Sequence, residues 1–185
     1  MKVVIAIPAR YASSRLPGKP LADIGGVSMI VRVWRQCMEV KGVYKVVVAT
    51  DDRRILDAVH KEGGNAVMTS PSHQSGTDRI AEAVTDEVCD LVMNVQGDEP
   101  FFNPSSVSGL VAAFQGDRPP EAATLASPIR KGDDLFDPSI VKVLVGPDGH
   151  AVYFSRYPIP FRHDLWNISS EDWRRSDGVD LDGPH

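Results

Sequence analysis

The chain has 185 residues, of which 42% are hydrophobic, and a formal net charge of −5 at pH 7. This length supports one sizeable buried core, no apolar run approaches the ~20 residues that span a bilayer, and Val3–Pro8 is too short for a signal peptide, so we expect a cytoplasmic protein. The negative charge argues against a general nucleic-acid binder, which needs a basic face to displace counterions from phosphates.

The predicted elements alternate between strand and helix along most of the chain. In order they are a strand at Val3–Pro8, a helix at Ser28–Val40, a strand at Tyr44–Thr50, a helix at Asp51–Glu62, a strand at Asn65–Thr69, a helix at Gly76–Val88, a strand at Asp90–Gln96, a helix at Pro104–Phe114 and a strand at Ala122–Pro128. This order predicts an α/β fold, with a mostly parallel sheet flanked by helices on both faces.

Local signals refine three of the helices. Cys37 falls on the apolar face of the first helix, so we expect a buried core residue rather than a catalytic thiol; with Cys89 it also fits a reducing compartment. Asp51 is interpreted as the N-cap of the second helix in preference to a ligand. Ser75 and Asp78 resemble a capping box for the third, whose apolar face is expected to run as far as Val88.

The later part of the chain changes character. Val141–Val145 and Ala151–Ser155 flank a Gly-Pro-Asp-Gly turn, which predicts an antiparallel hairpin extension. From 164 onward the periodicity fades into an acidic, apolar-poor stretch. We therefore predict a single α/β domain over 1–163 and an irregular tail over 164–185.

A cationic loop follows the first strand. Ala9–Pro20 contains Arg10, Arg15 and Lys19, several small residues and no acid. Such a loop can wrap a triphosphate, because backbone N–H groups approach the phosphate oxygens while the cations neutralise charge on a leaving pyrophosphate. It is not a P-loop, and no dinucleotide fingerprint occurs. The alternative is a solvated surface loop.

A carboxylate follows the predicted strand that ends at Gln96. Gly97 is interpreted as permitting a sharp turn, after which Asp98 projects toward the edge of the sheet where α/β folds bind ligands. Mg²⁺ is typically held by one or two carboxylates together with substrate phosphates, so Asp98 is a candidate metal ligand. The alternative is that Asp98 or Glu99 caps the following turn.

Two further polar segments are candidates for binding. His73–Arg79 gathers donors at a predicted helix start, where a base edge or an anion can be recognised, although Ser75 has equal claim as a structural cap. No Cys or second His stands at zinc spacing from His73. Arg156 ends the hairpin and could grip a carboxylate with two nitrogens, or be an ordinary exposed arginine.

Five segments together resemble the 3-deoxy-manno-octulosonate (Kdo) cytidylyltransferases, the CMP-Kdo synthetases of Gram-negative bacteria. They are Ile7–Leu21, Ala49–Asp51, His73–Arg79, Val95–Pro100 and Tyr153–Arg156. The resemblance implies a Rossmann-like fold of the nucleotide-diphospho-sugar transferase type, with 1–163 as a nucleotidyltransferase domain that is incomplete at its carboxyl-terminal end. It also implies a cytoplasmic, homodimeric transferase of lipopolysaccharide biosynthesis that binds CTP, Kdo and Mg²⁺, with no nucleic-acid or membrane partner. It implies catalytic roles for Arg10, Lys19 and Asp98, a metal site at Asp98, nucleotide binding by Ala9, Arg10, Arg15, Lys19, Gln74, Ser75 and Gly76, and sugar binding by Arg79, Gln96 and Arg156.

The family pattern continues beyond what this sequence carries. It includes a His-x-Gly-x-Tyr-x-Tyr-like segment that binds the sugar and a Gly-x-x-Val-Asp-Thr-Pro-x-Asp-like motif that supplies a second metal ligand. Gly178–Asp180 matches the second motif only partly, because it lacks the Thr-Pro step. We expect the carboxyl-terminal portion of the pattern to be missing, by natural truncation, fragmentation or frameshift. The alternatives to Kdo transfer are a catalytically silent CTP-binding fragment and a cytidylyltransferase for a related acid, such as 8-amino Kdo or sialic acid.

Overall fold

The structure is a computed structural model that describes residues 1–12 and 16–160. The chain divides into two compact units, Met1–Leu125 and Ala126–His185. The domain limits predicted above, 1–163 and 164–185, stay a prediction, because their boundary lies outside the described residues. No helix in the described ranges combines the length and apolar character needed to cross a membrane.

The first unit contains a four-stranded parallel sheet in the order β3-β2-β1-β4. Its elements are β1 (Val3–Ala9), a 3-10 helix (Lys19–Leu21), α1 (Met29–Met38), β2 (Lys45–Thr50), α2 (Arg53–Lys61), β3 (Asn65–Met68), α3 (Gly76–Ala83), β4 (Leu91–Asn94) and α4 (Pro104–Ala113). This arrangement confirms the predicted α/β class with a parallel sheet.

The central strand β1 is buried on both faces, which explains why it reads as a continuous apolar run. Because successive side chains point to opposite faces, Ile5 packs in one core cluster and Val4 in another. The larger cluster collects apolar side chains of α1, α2 and α4, while Ile80 of α3 belongs to the smaller one. Helices therefore cover both faces of the sheet, and Cys37 is fully buried in the larger cluster, as predicted.

Three local predictions are wrong. Residues 122–128 are exposed and form no strand, because β propensity yields a strand only where a neighbouring strand accepts its hydrogen bonds. Val88 is 81% exposed, since α3 ends at Ala83, before the apolar pattern does. The N-cap of α2 is Asp52 rather than Asp51, and Asp52 Oδ1 accepts a hydrogen bond of 2.9 Å from the Arg54 N–H.

The second unit contains the predicted hairpin, with β5 (Lys142–Val145) antiparallel to β6 (Ala151–Ser155). Gly149 closes the turn at a φ of 82°, a left-handed conformation that favours glycine. A short helix not predicted from the sequence, α5 (Gly132–Phe136), precedes the hairpin. Arg156 Nη1 donates a 2.8 Å hydrogen bond to the Pro138 carbonyl oxygen, within this unit.

Candidate active site

A cavity of about 480 Å³ opens in the first unit beside the carboxyl ends of β1 and β4. Four stretches of chain form its wall, and they bring the two ends of the cationic loop, the start of α3 and the turn after β4 to one place. The lining residues are Pro8, Ala9, Arg10, Leu16, Lys19, Pro20, His73, Gln74, Ser75, Gly76, Arg79, Gln96, Gly97 and Asp98. Parallel strands present these ends at one edge of the sheet, which is where α/β folds bind ligands.

The charged side of the cavity joins two of the predicted catalytic residues. Lys19 Nζ lies 2.6 Å from Asp98 Oδ2, and the two side chains are 37% and 51% exposed. Arg10 also lines the cavity and is exposed. Arg15, predicted to bind the triphosphate, lies outside the described residues. Arg10 and Lys19 of the cationic loop therefore face the same space as the Asp98 carboxylate.

Gly97 is required by a close approach rather than by an unusual backbone conformation. A Cβ at this position would lie 2.8 Å from the Pro8 carbonyl oxygen, closer than such atoms can come. The predicted turn is present, with the Glu99 N–H donating to the Gln96 carbonyl oxygen at 3.3 Å, and Gly97 makes it without a positive φ. The turn that carries Asp98 packs directly on the end of β1, and this contact holds the carboxylate beside the cationic loop.

The start of α3 forms a polar wall. Ser75 Oγ accepts the Asp78 N–H at 3.1 Å and donates to Asp78 Oδ2 at 2.7 Å, so the predicted capping interaction is present on the cavity wall. His73 Nε2 bonds Glu82 Oε2. The pKa of Glu82 is lowered, first by a hydrogen bond from the Ser70 N–H and then by His73. Gln74 Nε2 donates to the Ser72 carbonyl at 3.2 Å.

Arg79 reaches the cavity wall but is only 3% exposed. Nη1 donates to Thr69 Oγ1 at 2.6 Å, and Nη2 donates to Asp51 Oδ2 at 2.9 Å. Asp51 Oδ1 also accepts the Tyr11 N–H at 3.2 Å. The sequence pattern indicates a helix cap at Asp51 and gives no sign of these contacts. Asp51 and Asp52 carry the same local cap signal, and the residues that bond Asp51 are distant from it in the sequence.

Gln96 lines the cavity next to Gly97 and Asp98. Its Nε2 donates to Asn94 Oδ1 at 2.9 Å, which orients the amide from the end of β4. Ala9 is buried at the end of β1 and contributes to the same wall. These positions agree with the sequence-based grouping of both residues near the ligand edge of the sheet.

Asp98 has the chemistry of a single-carboxylate magnesium anchor. Within 1–12 and 16–160, no group of three or more His, Cys, Asp or Glu side chains is arranged to hold a metal ion. Mg²⁺ in nucleotide sites usually keeps several waters and takes one or two carboxylates plus phosphate oxygens. A half-exposed carboxylate on the wall of a cationic cavity fits that donor set.

Curated relatives are similar over nearly the whole chain. A 3-deoxy-manno-octulosonate cytidylyltransferase of Trichlorobacter lovleyi is 45% identical over 166 residues, which cover 90% of this chain and 66% of the relative. One from Saccharophagus degradans is 43% identical over 183 residues, covering 97% and 71%. The chain thus spans about two thirds of the length of the curated relatives it matches.

Solved structures agree with the sequence matches. A CMP:2-keto-3-deoxy-manno-octonic acid synthetase complexed with CTP is 44% identical, with a TM-score of 0.79, over 89% of this chain and 68% of that one. A cytidylyltransferase from Leptospira borgpetersenii is 27% identical, with a TM-score of 0.55, over 62% and 49%. Residues 4–173 match the family described as cytidylyltransferase. With this match and the cavity described above, the chain belongs to the cytidylyltransferase family.

Proposed function

We propose that the chain transfers CMP from CTP to Kdo, giving CMP-Kdo and pyrophosphate for lipopolysaccharide biosynthesis. The observation that carries the proposal is the meeting of Arg10, Lys19 and Asp98 at one cavity, a combination suited to a triphosphate with its metal. The relatives named as Kdo cytidylyltransferases support the choice of nucleotide and sugar.

The proposed reaction is a direct in-line displacement. The anomeric hydroxyl oxygen of Kdo forms a bond to the α-phosphorus of CTP, the bond from that phosphorus to the bridging oxygen breaks, and pyrophosphate leaves with the electron pair while the hydroxyl proton passes to solvent. Such transfers depend mainly on positioning and charge stabilisation. Arg10 and Lys19 would hold the triphosphate and offset charge on the departing pyrophosphate, with Arg15 as a third predicted cation.

Asp98 is proposed to hold Mg²⁺, which when bound would neutralise phosphate oxygens. The Lys19 ammonium lies against this carboxylate, so a bound triphosphate would meet the ammonium directly and the carboxylate through the metal ion. Magnesium dependence is part of the proposal and is tested together with the reaction.

The sugar is proposed to lie toward Gln96, whose amide is held by Asn94 and can orient hydroxyl groups. Arg156 is proposed to bind the Kdo carboxylate. Ala9 and Gln74–Gly76 are candidates for cytosine recognition, since they offer backbone and side-chain polar groups along the cavity. Arg79 lies on the cavity wall and uses two of its five N–H groups to bond protein oxygens, so we propose a positioning role for it beside the sugar contact that the resemblance implies.

Two broader features belong to the same proposal. A cytoplasmic location fits the free thiols of Cys37 and Cys89, which agree with a reducing compartment. A homodimer is implied by the family resemblance and stays a prediction.

Pyrophosphate release tests the reaction. The chain is incubated with Mg²⁺, each of CTP, UTP and ATP, and each of Kdo, 8-amino Kdo and sialic acid; we expect release with CTP and Kdo and much less with the other combinations. If another sugar acid gives more pyrophosphate release, that acid replaces Kdo as the proposed substrate. If the chain binds CTP but releases no pyrophosphate with any sugar acid, the proposed transfer is contradicted.

A further inference from the structure

Asp51 sits at the centre of a buried hydrogen-bond network behind the cavity. It follows β2 directly, its side chain is 13% exposed, and each carboxylate oxygen has a partner. Oδ1 accepts the Tyr11 N–H at 3.2 Å, and Oδ2 accepts Arg79 Nη2 at 2.9 Å. One side chain therefore links β2, the cationic loop and α3.

The Arg79 side of this network is anchored in the sheet. Its Nη1 donates to Thr69 Oγ1, and that hydroxyl donates to the Thr50 carbonyl at 3.1 Å. Thr50 and Thr69 are both buried. A buried guanidinium needs a compensating charge and satisfied donors, so Arg79 has little freedom to leave Asp51. The wall formed by the start of α3 is thereby tied to the carboxyl end of β2.

The Tyr11 side of the network fixes the base of the cationic loop. The Gly18 N–H donates to the Tyr11 carbonyl at 2.9 Å, so the two ends of 11–18 meet. The Arg54 guanidinium lies 3.5 Å from the Tyr11 ring centroid. A Cβ at Gly18 would come within 3.0 Å of the same ring, and its φ of 72° is left-handed. Both conditions favour glycine at this closure.

The base of the loop is flanked by two cations that line the cavity. Arg10 precedes Tyr11, and Lys19 follows Gly18. We infer that Asp51 is a positioning residue that, through Tyr11 and Arg79, sets Arg10 and Lys19 at a fixed spacing from the α3 wall for a nucleoside triphosphate. The inference deepens the proposed function and rests on it for the identity of the nucleotide.

Asp51→Asn is the direct test. An asparagine keeps one acceptor oxygen, which can serve Arg79 or Tyr11 but not both. We expect the affinity for CTP, measured by isothermal titration, to fall about tenfold, equivalent to about 1.4 kcal/mol, because the triphosphate needs both loop cations. CMP, which presents fewer charges to the loop, should lose less than about threefold. In steady state, KM for CTP should rise more than kcat falls.

Asp57→Asn is the matched control. Asp57 forms an exposed ion pair of 3.0 Å with Arg53 on α2, outside the cavity lining, so this variant removes a similar charge without touching the network. It should bind CTP and CMP as the unaltered chain does. If Asp51→Asn binds CTP normally, or loses CTP and CMP equally alongside a lower thermal midpoint, the positioning role is refuted.

Two further measurements keep the test decisive. Asp51→Asn combined with Lys19→Ala should cost less CTP affinity than the sum of the two single changes, since both act through the same loop; additive losses would refute the inference. If Asp51→Asn does not fold, Arg54→Gln is the substitute variant. It removes the exposed guanidinium that lies over the Tyr11 ring, so it should lower CTP affinity about threefold and leave CMP affinity unchanged. An unchanged CTP affinity would refute the inference. Because CTP binding is measured without sugar, an unaltered chain that binds CTP but fails to transfer it refutes the proposed reaction and leaves the positioning role open to measurement.

Discussion

Lys19 Nζ and Asp98 Oδ2 are 2.6 Å apart, although 79 positions separate the two residues in the sequence. Both side chains are accessible to solvent, and exposed pairs of this kind contribute only about 0–1 kcal/mol. A triphosphate and a magnesium ion can therefore replace the pair at little cost. Without ligand, each group neutralises the other; with ligand, each would take a partner of opposite charge.

Asp98→Asn should separate metal dependence from nucleotide binding. Removing the carboxylate charge deprives Mg²⁺ of its proposed protein ligand, so metal-dependent pyrophosphate release should fall by at least about 100-fold. Because Lys19 is no longer engaged by a carboxylate, CTP affinity in EDTA should be unchanged or higher. Titration calorimetry with and without Mg²⁺ checks the binding, and circular dichroism checks the fold. Normal turnover in the variant would remove Asp98 from the mechanism.

Lys19→Ala should discriminate between nucleotides by their phosphate content. The ammonium is proposed to contact the triphosphate, so CTP affinity should fall about tenfold or more and CMP affinity much less. Calorimetric titration of the same variant with both nucleotides gives the ratio directly. Equal losses of CTP and CMP affinity would contradict a contact between Lys19 and the outer phosphates, because CMP lacks them.

Gly97→Ala should destabilise the chain and weaken CTP binding. The added Cβ would meet the Pro8 carbonyl, and relieving such a contact typically costs about 1–3 kcal/mol. Gly109→Ala is the control: Gly109 is exposed in α4 with nothing within 4 Å of the added atom, so alanine should stabilise by about 0.5–1 kcal/mol. Urea unfolding of both variants measures the difference, and stabilisation by both would contradict the close-approach argument.

Asp52→Ala should lower stability at neutral pH but not in acid. Asp52 caps α2, and losing such a cap typically costs about 1 kcal/mol. The Arg54 side chain lowers the pKa of Asp52 below its ordinary 3.8, so its contribution is present above about 3.8 and is lost as the pH falls through the folded value. Urea midpoints of variant and parent should thus differ at pH 7 and approach each other as the pH falls below 3.8. Asp57→Ala, which breaks only an exposed pair, should change little at either pH.

Cys37 should resist thiol reagents while the chain is folded. Burial raises the pKa of its thiol from 9.0 to about 12, so only about one molecule in ten thousand carries the reactive thiolate at pH 8. Mass spectrometry after iodoacetamide treatment should find Cys37 unmodified in buffer and modified in urea. The favourable contribution of the protonated thiol is complete below pH 9 and declines as the pH rises toward 12. Rapid native labelling of Cys37 would contradict its place in the core.

Patterns that depend on near neighbours were predictable from the sequence, and contacts between distant segments were not. Alternating apolar runs located β1, β2 and the helices, because strand and helix periods are properties of short stretches. Residues 122–128 have strand-like composition but no pairing strand, which no local pattern records. Asp51 and Asp52 look equivalent beside a helix start, and only the folded chain shows that Tyr11 and Arg79 reach one and not the other.

The place of β1 in the middle of the sheet has a consequence for how the protein is made. Synthesis runs from β1 toward β4, and β1 is complete at Ala9 while one of its hydrogen-bonded neighbours, β4, begins only at Leu91. Until β4 is made, the backbone of β1 has no hydrogen-bonding partner along that edge, a condition in which nascent chains can associate wrongly. Since Asp98 is synthesised later still, a nucleotide can stabilise the newly made chain only after the whole sheet has emerged.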